Sequence, residues 1–480
     1  MNLHSARPAL GFLVLIALTA CDLSSGLNRD LDATTPSSTV PALLVTTPVP
    51  VATISPEPAS STPEPVSPTP RKPSPTPRPA AIDLSSFSDV RRMGRLSLTQ
   101  GWVLTDSFNG ECGADPSCRA RLMLTEGLIP MERLLWTEDA GASWSDITPA
   151  GLSNCPPPDI CTMVSPPVFL DSSRVRIAVL RGQELEPPTT LSFMYTENGG
   201  RTWGLWHIDE LHYGRICPGE ACISDADLEF SDPLNGWLAA SAPLGMGTDT
   251  IYLYRTRDGG QSWTALVKVS VSDTGGPGFV PKPIVHHLTF IDASTGWEVG
   301  GWRFDTGQLL VTRNGGSSWQ PVELLIPEAY VGMSRAYDAP VFFSHDSGVL
   351  PVRFYGREDG DQVLGFYITG NAGGTWLLTA TLEDPELNTS SDVRGIAWSA
   401  IDEATWFVAV SETRQYLTRD RGLTWEVFAA EGLDGAALID VQFVSEVEGW
   451  GLGRTDFDYV PRMFATHDGG RTWMPIAPSP

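Results

Sequence analysis

Thr466-His467-Asp468-Gly469-Gly470-Arg471-Thr472-Trp473 is the last of seven related octapeptides in this chain, and the series decides the fold. The earlier copies run from Thr137 to Trp144, Thr196 to Trp203, Thr256 to Trp263, Thr312 to Trp319, Thr369 to Trp376 and Thr418 to Trp425. Their tryptophans are spaced 59, 60, 56, 57, 49 and 48 residues apart. A repeat of roughly 50–60 residues is long enough for one four-stranded unit.

Each position of the octapeptide has a physical reason. The third is Asp139, Asn198, Asp258, Asn314, Asn371, Asp420 or Asp468, whose side chains accept backbone N–H groups inside a tight turn. Glycine stands two residues later in every copy, where a turn needs positive φ. The Ser or Thr before the tryptophan adds a further turn bond. Trp144, Trp203, Trp263, Trp319, Trp376, Trp425 and Trp473 then open the next strand, each a large apolar plug. Apolar alternation before the turn, as in Tyr252-Leu253-Tyr254-Arg255-Thr256, reads as a strand.

A second signal lies upstream in most units: an apolar strand, a turn, then Gly-Trp. Examples are Leu288-Thr289-Phe290-Ile291-Asp292 before Gly296-Trp297, and Val441-Gln442-Phe443-Val444 before Gly449-Trp450. Gly101-Trp102 and Gly236-Trp237 repeat it, whereas units two, five and six lack the dipeptide. Each unit thus reads as strand A, strand B opening on Gly-Trp, strand C, the Asp- or Asn-containing turn, and strand D opening on Trp.

The octapeptide resembles the Asp-box, or bacterial neuraminidase repeat. That repeat is found in sialidase-type β-propellers, sortilin-type receptors, some endoglucanases and the photosystem II assembly/stability factor family. The resemblance implies an all-β fold: a single seven-bladed β-propeller of four-stranded antiparallel blades over about residues 88–478. It also implies that the box residues serve folding, because the Asp-box turn usually lies away from the ligand site. In such a propeller the C–D turns share one face, and the longer B–C and D–A loops share the other, where function usually resides.

The N-terminal part is a different material. Arg7 precedes the apolar run Leu13-Val14-Leu15-Ile16-Ala17-Leu18, which is too short to span a bilayer comfortably. The run ends in Leu18-Thr19-Ala20-Cys21, which resembles a bacterial lipobox and implies a signal peptide over residues 1–20 and lipidation of Cys21. Between Pro36 and Pro79 lie 14 of the 40 prolines, mixed with Ser, Thr, Val and Ala. Such a segment buries too little apolar surface to fold. Residues 21–82 are therefore expected to form a disordered, semi-rigid stalk, with the propeller occupying 83–480. The expected address is extracytoplasmic, lipid-anchored to the cell membrane at the cell surface or in the periplasm.

The 480 residues include 57 acidic and 32 basic side chains, a net charge of −25. Residues 1–82 balance five against five, so the excess sits on the rest of the chain. That excludes nucleic acid as a general partner, since phosphate binding needs a basic face. The composition, with only 19% charged residues, also excludes a coiled coil.

Besides Cys21 there are six cysteines, in the close pairs Cys112 and Cys118, Cys155 and Cys161, and Cys217 and Cys222. An even count in an exported chain reads as three local disulfides shaping loops around blades 1–3. His207 and His212 with the third pair offer zinc-ligand residue types, but their spacing matches no common finger, so no metal and no cofactor are expected.

Function reads as non-catalytic recognition of a protein or glycan by a monomeric, membrane-displayed propeller. The candidate contacts are Trp206, Asp209, Glu210 and Tyr213, with Trp302 and Arg303 as a second group. The alternative is a glycoside hydrolase, which needs two carboxyl groups across a cleft, or a tyrosine nucleophile with an acid partner. Its candidates in B–C loops are Asp106, Asp305, Asp456 and Asp458. Two departures count against sialidase: Val90-Arg91-Arg92-Met93-Gly94 stands where the family carries an Arg-Ile-Pro-like motif, and sialidases usually have six blades. An endoglucanase of this type generally pairs two propellers. The strongly acidic domain, with no Arg-dense block, puts a photosystem role in doubt.

Overall fold

Seven antiparallel sheets follow one another along the chain, each built from its own contiguous stretch. The computed structural model describes residues 89–107, 131–153, 159–183, 186–213, 225–243, 249–270, 286–300, 307–356, 362–389, 397–411, 413–455 and 462–476. All belong to the second of two units into which the chain divides, Met1–Pro75 and Thr76–Pro480. The intervals between the described ranges are all B–C or D–A connections.

In strand order A to D, blade 1 comprises β1 (Asp89–Arg95), β2 (Gly101–Ser107), β3 (Met131–Thr137) and β4 (Ser145–Asp146). Blade 2 comprises β5 (Asp159–Met163) with β6 (Val168–Phe169), then β7 (Val175–Gln183), β8 (Glu186–Thr196) and β9 (Gly204–Tyr213). Blade 3 comprises β10 (Asp225–Phe230), β11 (Gly236–Pro243), β12 (Asp249–Thr256) and β13 (Thr264–Ser270). Blade 4 comprises β14 (His286–Phe290), β15 (Gly296–Gly300), β16 (Gln308–Thr312) and β17 (Gln320–Pro321). Blade 5 comprises β18 (Ser334–Tyr337) with β19 (Val341–Phe342), then β20 (Gly348–Tyr355), β21 (Gln362–Thr369) and β22 (Leu377–Glu383). Blade 6 comprises β23 (Ala397–Ala400), β24 (Trp406–Ala409), β25 (Gln415–Thr418) and β26 (Glu426–Phe428). Blade 7 comprises β27 (Ala437–Phe443), β28 (Gly449–Arg454), β29 (Arg462–Thr466) and β30 (Met474–Pro475). This is the seven-bladed propeller of four-stranded blades. In blades 2 and 5 the first strand is interrupted, so that two short pieces pair with the same second strand.

The turns explain why these residues fold this way. Thr466 Oγ1 donates to Asp468 Oδ1 at 2.9 Å and accepts the Gly470 N–H at 2.9 Å. Asp468 Oδ1 in turn accepts the Thr472 N–H at 2.8 Å. The same bonds recur in blade 1 on Thr137 and Asp139, and in blade 2 on Thr196 and Asn198. Threonine opens all seven copies and is 0–5% exposed, so its hydroxyl is the buried hub of the turn. The fifth position has positive φ throughout, from 65° at Gly373 to 102° at Gly260. So does the fourth, including Ala140, Ala372 and Arg421.

The box tryptophan of each blade packs against the preceding blade. Trp203 Nε1 donates to Ile147 O of blade 1 at 2.8 Å. Trp263 meets Phe193, Trp376 meets Trp297, Trp425 meets Phe366 and Trp473 meets Phe407, with ring centroids 5.4–6.4 Å apart. Trp319 joins the cluster of Trp237 and Leu253. Trp144 of blade 1 meets Trp450 of blade 7 at 5.8 Å, so the same plug closes the ring. Among the described residues no strand is exchanged between the first and last blades. Closure rests on side chains: Met93, Val103 and Trp144 cluster with Trp450, Leu452 and Met463. The Arg95 N–H also donates to Gln442 Oε1 at 2.9 Å.

The Gly of Gly-Trp has a steric cause. A Cβ at Gly236, Gly296 or Gly449 would stand 2.4–2.8 Å from the ring of Phe230, Phe290 or Phe443, which lies across the glycine from strand A. The adjoining Trp237, Trp297 and Trp450 are at most 1% exposed.

One expectation is corrected. No disulfide bond occurs among the described residues. Cys112, Cys118, Cys155, Cys217 and Cys222 lie outside them, as does Cys21, and Cys161 is described only as backbone on β5, opposite Arg181. A bridge requires Cβ atoms about 3.5–4.5 Å apart with a fixed mutual orientation. Closeness in sequence does not supply that, so the disulfide reading is not carried further.

Candidate functional site

The A–B and C–D turns form one tied face. The fourth residue of each box donates its N–H to a carbonyl of the A–B turn: Ala140 to Thr99, Gly199 to Ser173, Gly259 to Leu234, Gly315 to Ser294, Ala372 to Asp346, Arg421 to Ala404 and Gly469 to Val447, at 2.7–3.1 Å. The A–B turns are themselves capped by Asp or Ser, as where Asp292 Oδ1 accepts Ser294 N at 2.6 Å and Thr295 N at 2.8 Å. Sequence reasoning missed this cap, although an Asp or Ser four residues before the Gly position was visible in several units. The backbone N–H groups at the fourth box position are thus satisfied internally, which ties the two sets of turns together.

The inner strands carry a second device. Strand A of each blade turns an open backbone edge toward the propeller axis, and its N–H groups need acceptors. Ser399 Oγ accepts the Phe443 N–H across the blade 6/7 boundary at 3.1 Å, and Gln442 serves the same purpose at 7/1. Glu132 Oε2 accepts Met163 N at 1/2, at 2.5 Å. At 3/4 two acids do this work: Asp227 Oδ2 accepts Leu288 N at 2.5 Å, and Glu229 accepts Phe290 N. Burial and then the neighbouring Asp227 push the Glu229 carboxyl up to about 8. Burial likewise raises Asp440 on β27 and Asp338 between β18 and β19, against the opposing pull of Arg92 and Arg353 respectively.

On the loop face, the crossovers of blades 4–6 are built as follows. The crossover from β17 to β18 alternates in its first half: Val322, Leu324 and Ile326 pack on the core, while Glu323 and Leu325 face out. Tyr367 Oη donates to the Leu325 carbonyl at 3.1 Å. Tyr330 stacks on Phe354, with centroids 5.0 Å apart, and its hydroxyl donates to Glu383 Oε1 at 2.8 Å. Glu383 opens the next crossover, which is locked to Ser411 and Arg414 between β24 and β25. There Asp384 accepts the Tyr416 hydroxyl and the Glu386 N–H at 2.7 Å, and forms an ion pair with the Arg414 guanidinium at 2.9 Å. Ser411 Oγ donates to Glu386 Oε2 at 2.5 Å. Burial and the Asp384 bond raise the Tyr416 phenol, which therefore stays a protonated donor. That is the reverse of what an activated tyrosine nucleophile requires.

The sequence-derived candidates divide as follows. Trp206 lies on β9 within the cluster joining blades 2 and 3, stacked on Tyr195 at 3.6 Å. Asp209, Glu210 and Tyr213 are on the same strand, with their side chains outside the description. Asp106 is on β2, paired with Asp89 and Glu132, and its side chain is likewise undescribed. Trp302, Arg303, Asp305, Asp456 and Asp458 lie outside the described residues. His207 is exposed and lies 3.4 Å from Ser192 Oγ. Among the described residues, no group of three or more His, Cys, Asp or Glu side chains is placed to hold a metal ion.

No protein-family model matches the chain, and no curated protein matches it. Solved structures do. YCF48 from Cyanidioschyzon merolae is 16% identical with a TM-score of 0.40, over 67% of this chain and 86% of that one. A PL25 ulvan lyase is 15% identical with a TM-score of 0.40, over 68% of this chain and 78% of that one. The Hadza microbial sialidase Hz136 is 11% identical with a TM-score of 0.38, over 73% and 68%. These are likenesses of fold, to enzymes and to proteins without a stated activity alike.

Proposed function

We propose that this chain is a non-catalytic extracytoplasmic binding or assembly scaffold, displayed from the membrane by a lipid on Cys21 and recognising a protein or glycan through its loop face. Acyl chains contribute roughly 0.8 kcal/mol per buried CH₂, so two or three would hold the chain firmly. The observation that carries the reading is how the loop-face crossovers are built. Asp384, Glu386, Tyr416 and Arg414 are spent on one another and on Ser411, while Leu325 and Val331 stand 80% and 70% exposed on the crossover that Tyr330 and Tyr367 pin. Rigid support under outward apolar groups favours association over bond-breaking chemistry.

The hydrolase alternative has one observation in its favour. Asp227 and Glu229 are two carboxyl groups on one inner strand, and Glu229 is the kind of protonated acid that glycoside cleavage uses. Both, however, are engaged by the backbone of β14. A screen of glycan binding and polysaccharide hydrolysis on the full chain separates the readings. Binding without sugar release is the expected result. Sugar release that disappears in Glu229→Gln would overturn the scaffold reading.

A further inference from the structure

We infer that the crossover joining blade 4 to blade 5 is a docking ridge for a basic polypeptide segment bearing aliphatic or aromatic side chains. The inference rests on the binding reading above and names the class of partner. Three observations converge on it. Leu325 and Val331 are two of the most exposed large apolar side chains among the described residues, at 80% and 70%. An apolar group held out on fixed backbone gains nothing for folding, and here the backbone is fixed at both ends. Tyr367 holds the Leu325 carbonyl, and the Tyr330 N–H donates to Pro327 O at 2.9 Å just before Val331. The two residues are six positions apart, so chain length limits their separation to about 20 Å, within reach of one short extended peptide.

Charge selects the peptide. Glu323 and Glu328 flank the exposed leucine and are themselves exposed, and Glu383 borders Tyr330. Neither 320–334 nor 377–389 contains a Lys or Arg. Of the nearby arginines, Arg414 is paired with Asp384, and Arg335 is half-buried on β18 beside Tyr337 and Tyr367. An acidic rim around apolar knobs complements basic residues flanking apolar anchors.

The test is selection of a phage-displayed random dodecapeptide library on the full-length protein, with synthetic copies of the selected peptides measured by biolayer interferometry. Support is an enrichment of Arg or Lys beside Leu, Ile or Phe, with affinity reduced at least tenfold in Leu325→Asp/Val331→Asp and severalfold in Glu323→Gln/Glu328→Gln. Leu423→Asp, at a 73% exposed site on the opposite face, should leave affinity unchanged. The Gln pair removes charge without touching packing, so it stands even if the Asp pair disturbs the fold. Peptides that bind equally to the ridge variants overturn the ridge and leave the scaffold reading intact. Failure to select any peptide overturns the ridge, and silence of the glycan screen as well overturns both.

Discussion

Thr466→Val is nearly isosteric, yet it removes the hub of the last turn. Two losses follow. The hydroxyl no longer donates to Asp468, a hydrogen bond to a charged acceptor and hence about 1.5–3 kcal/mol. The buried Gly470 N–H loses its acceptor, at about 1–3 kcal/mol. The Asp468 N–H sits at a longer 3.4 Å and adds little. The expected cost is therefore about 2.5–6 kcal/mol, a large share of the roughly 5–15 kcal/mol that holds an ordinary domain together. Thr466→Ser keeps the hydroxyl and should cost about 1 kcal/mol. Asp468→Asn should also cost about 1 kcal/mol or less, since Asn198, Asn314 and Asn371 already fill this position. Their geometry shows how. With aspartate the Ser or Thr hydroxyl donates to the carboxylate, as Ser143 Oγ does to Asp139 Oδ2 at 2.5 Å. With asparagine the amide donates to the hydroxyl instead, as Asn198 Nδ2 does to Thr202 Oγ1 at 2.8 Å. Urea titration followed by tryptophan fluorescence measures all three. A Thr466→Val shift below about 1 kcal/mol, or an Asp468→Asn cost equal to it, would refute the hub.

Glu229→Gln should flatten the pH dependence of stability. Between the ordinary carboxyl value of 4.5 and about 8 the folded state holds a proton that the unfolded state releases, so stability falls as pH rises through this window. The ceiling is about 5 kcal/mol, reduced by the solvent contact Glu229 retains. The variant should match the parent near pH 4 and exceed it near pH 8 in thermal melts, and a parallel pair of curves would count against the seam. Ala372→Gly relieves positive φ at the fourth box position and should stabilise by about 0.5–1 kcal/mol in urea titration; destabilisation would mean that the alanine is not strained. Gln442→Leu orphans the Arg95 N–H at the ring closure, at about 1–3 kcal/mol, and should speed hydrogen exchange in β1 and β27 before other blades. Uniform exchange across all blades would show that closure does not depend on it.

How much of this was legible beforehand follows from the range of the interactions. The octapeptide is a local device: its Asp or Asn, glycine and hydroxyl bond within five residues, so the turn, the blade count and the strand order could be read off the chain. The Gly-Trp dipeptide was visible, but its cause was not. It lies in Phe230, Phe290 and Phe443 crossing over from the neighbouring strand. The conserved opening threonine was in plain view in all seven copies and was passed over, because its bonds appear only when the turn is closed. Nor does spacing alone show whether two cysteines meet, which is why close pairs suggested bridges that the described structure does not contain.

The sequence by itself determined the periodic part: seven copies of a self-contained turn, each followed by a tryptophan too large to leave in water. Only the tertiary structure decided what lies between copies. Which blade each tryptophan plugs, how Gln442 and Ser399 satisfy the inner edges, what raises the Glu229 carboxyl, and that Leu325 and Val331 are held out while their neighbours pack all depend on groups far apart in the chain. Burial and bond partners across a blade boundary are set by the closed ring, and no local pattern encodes them.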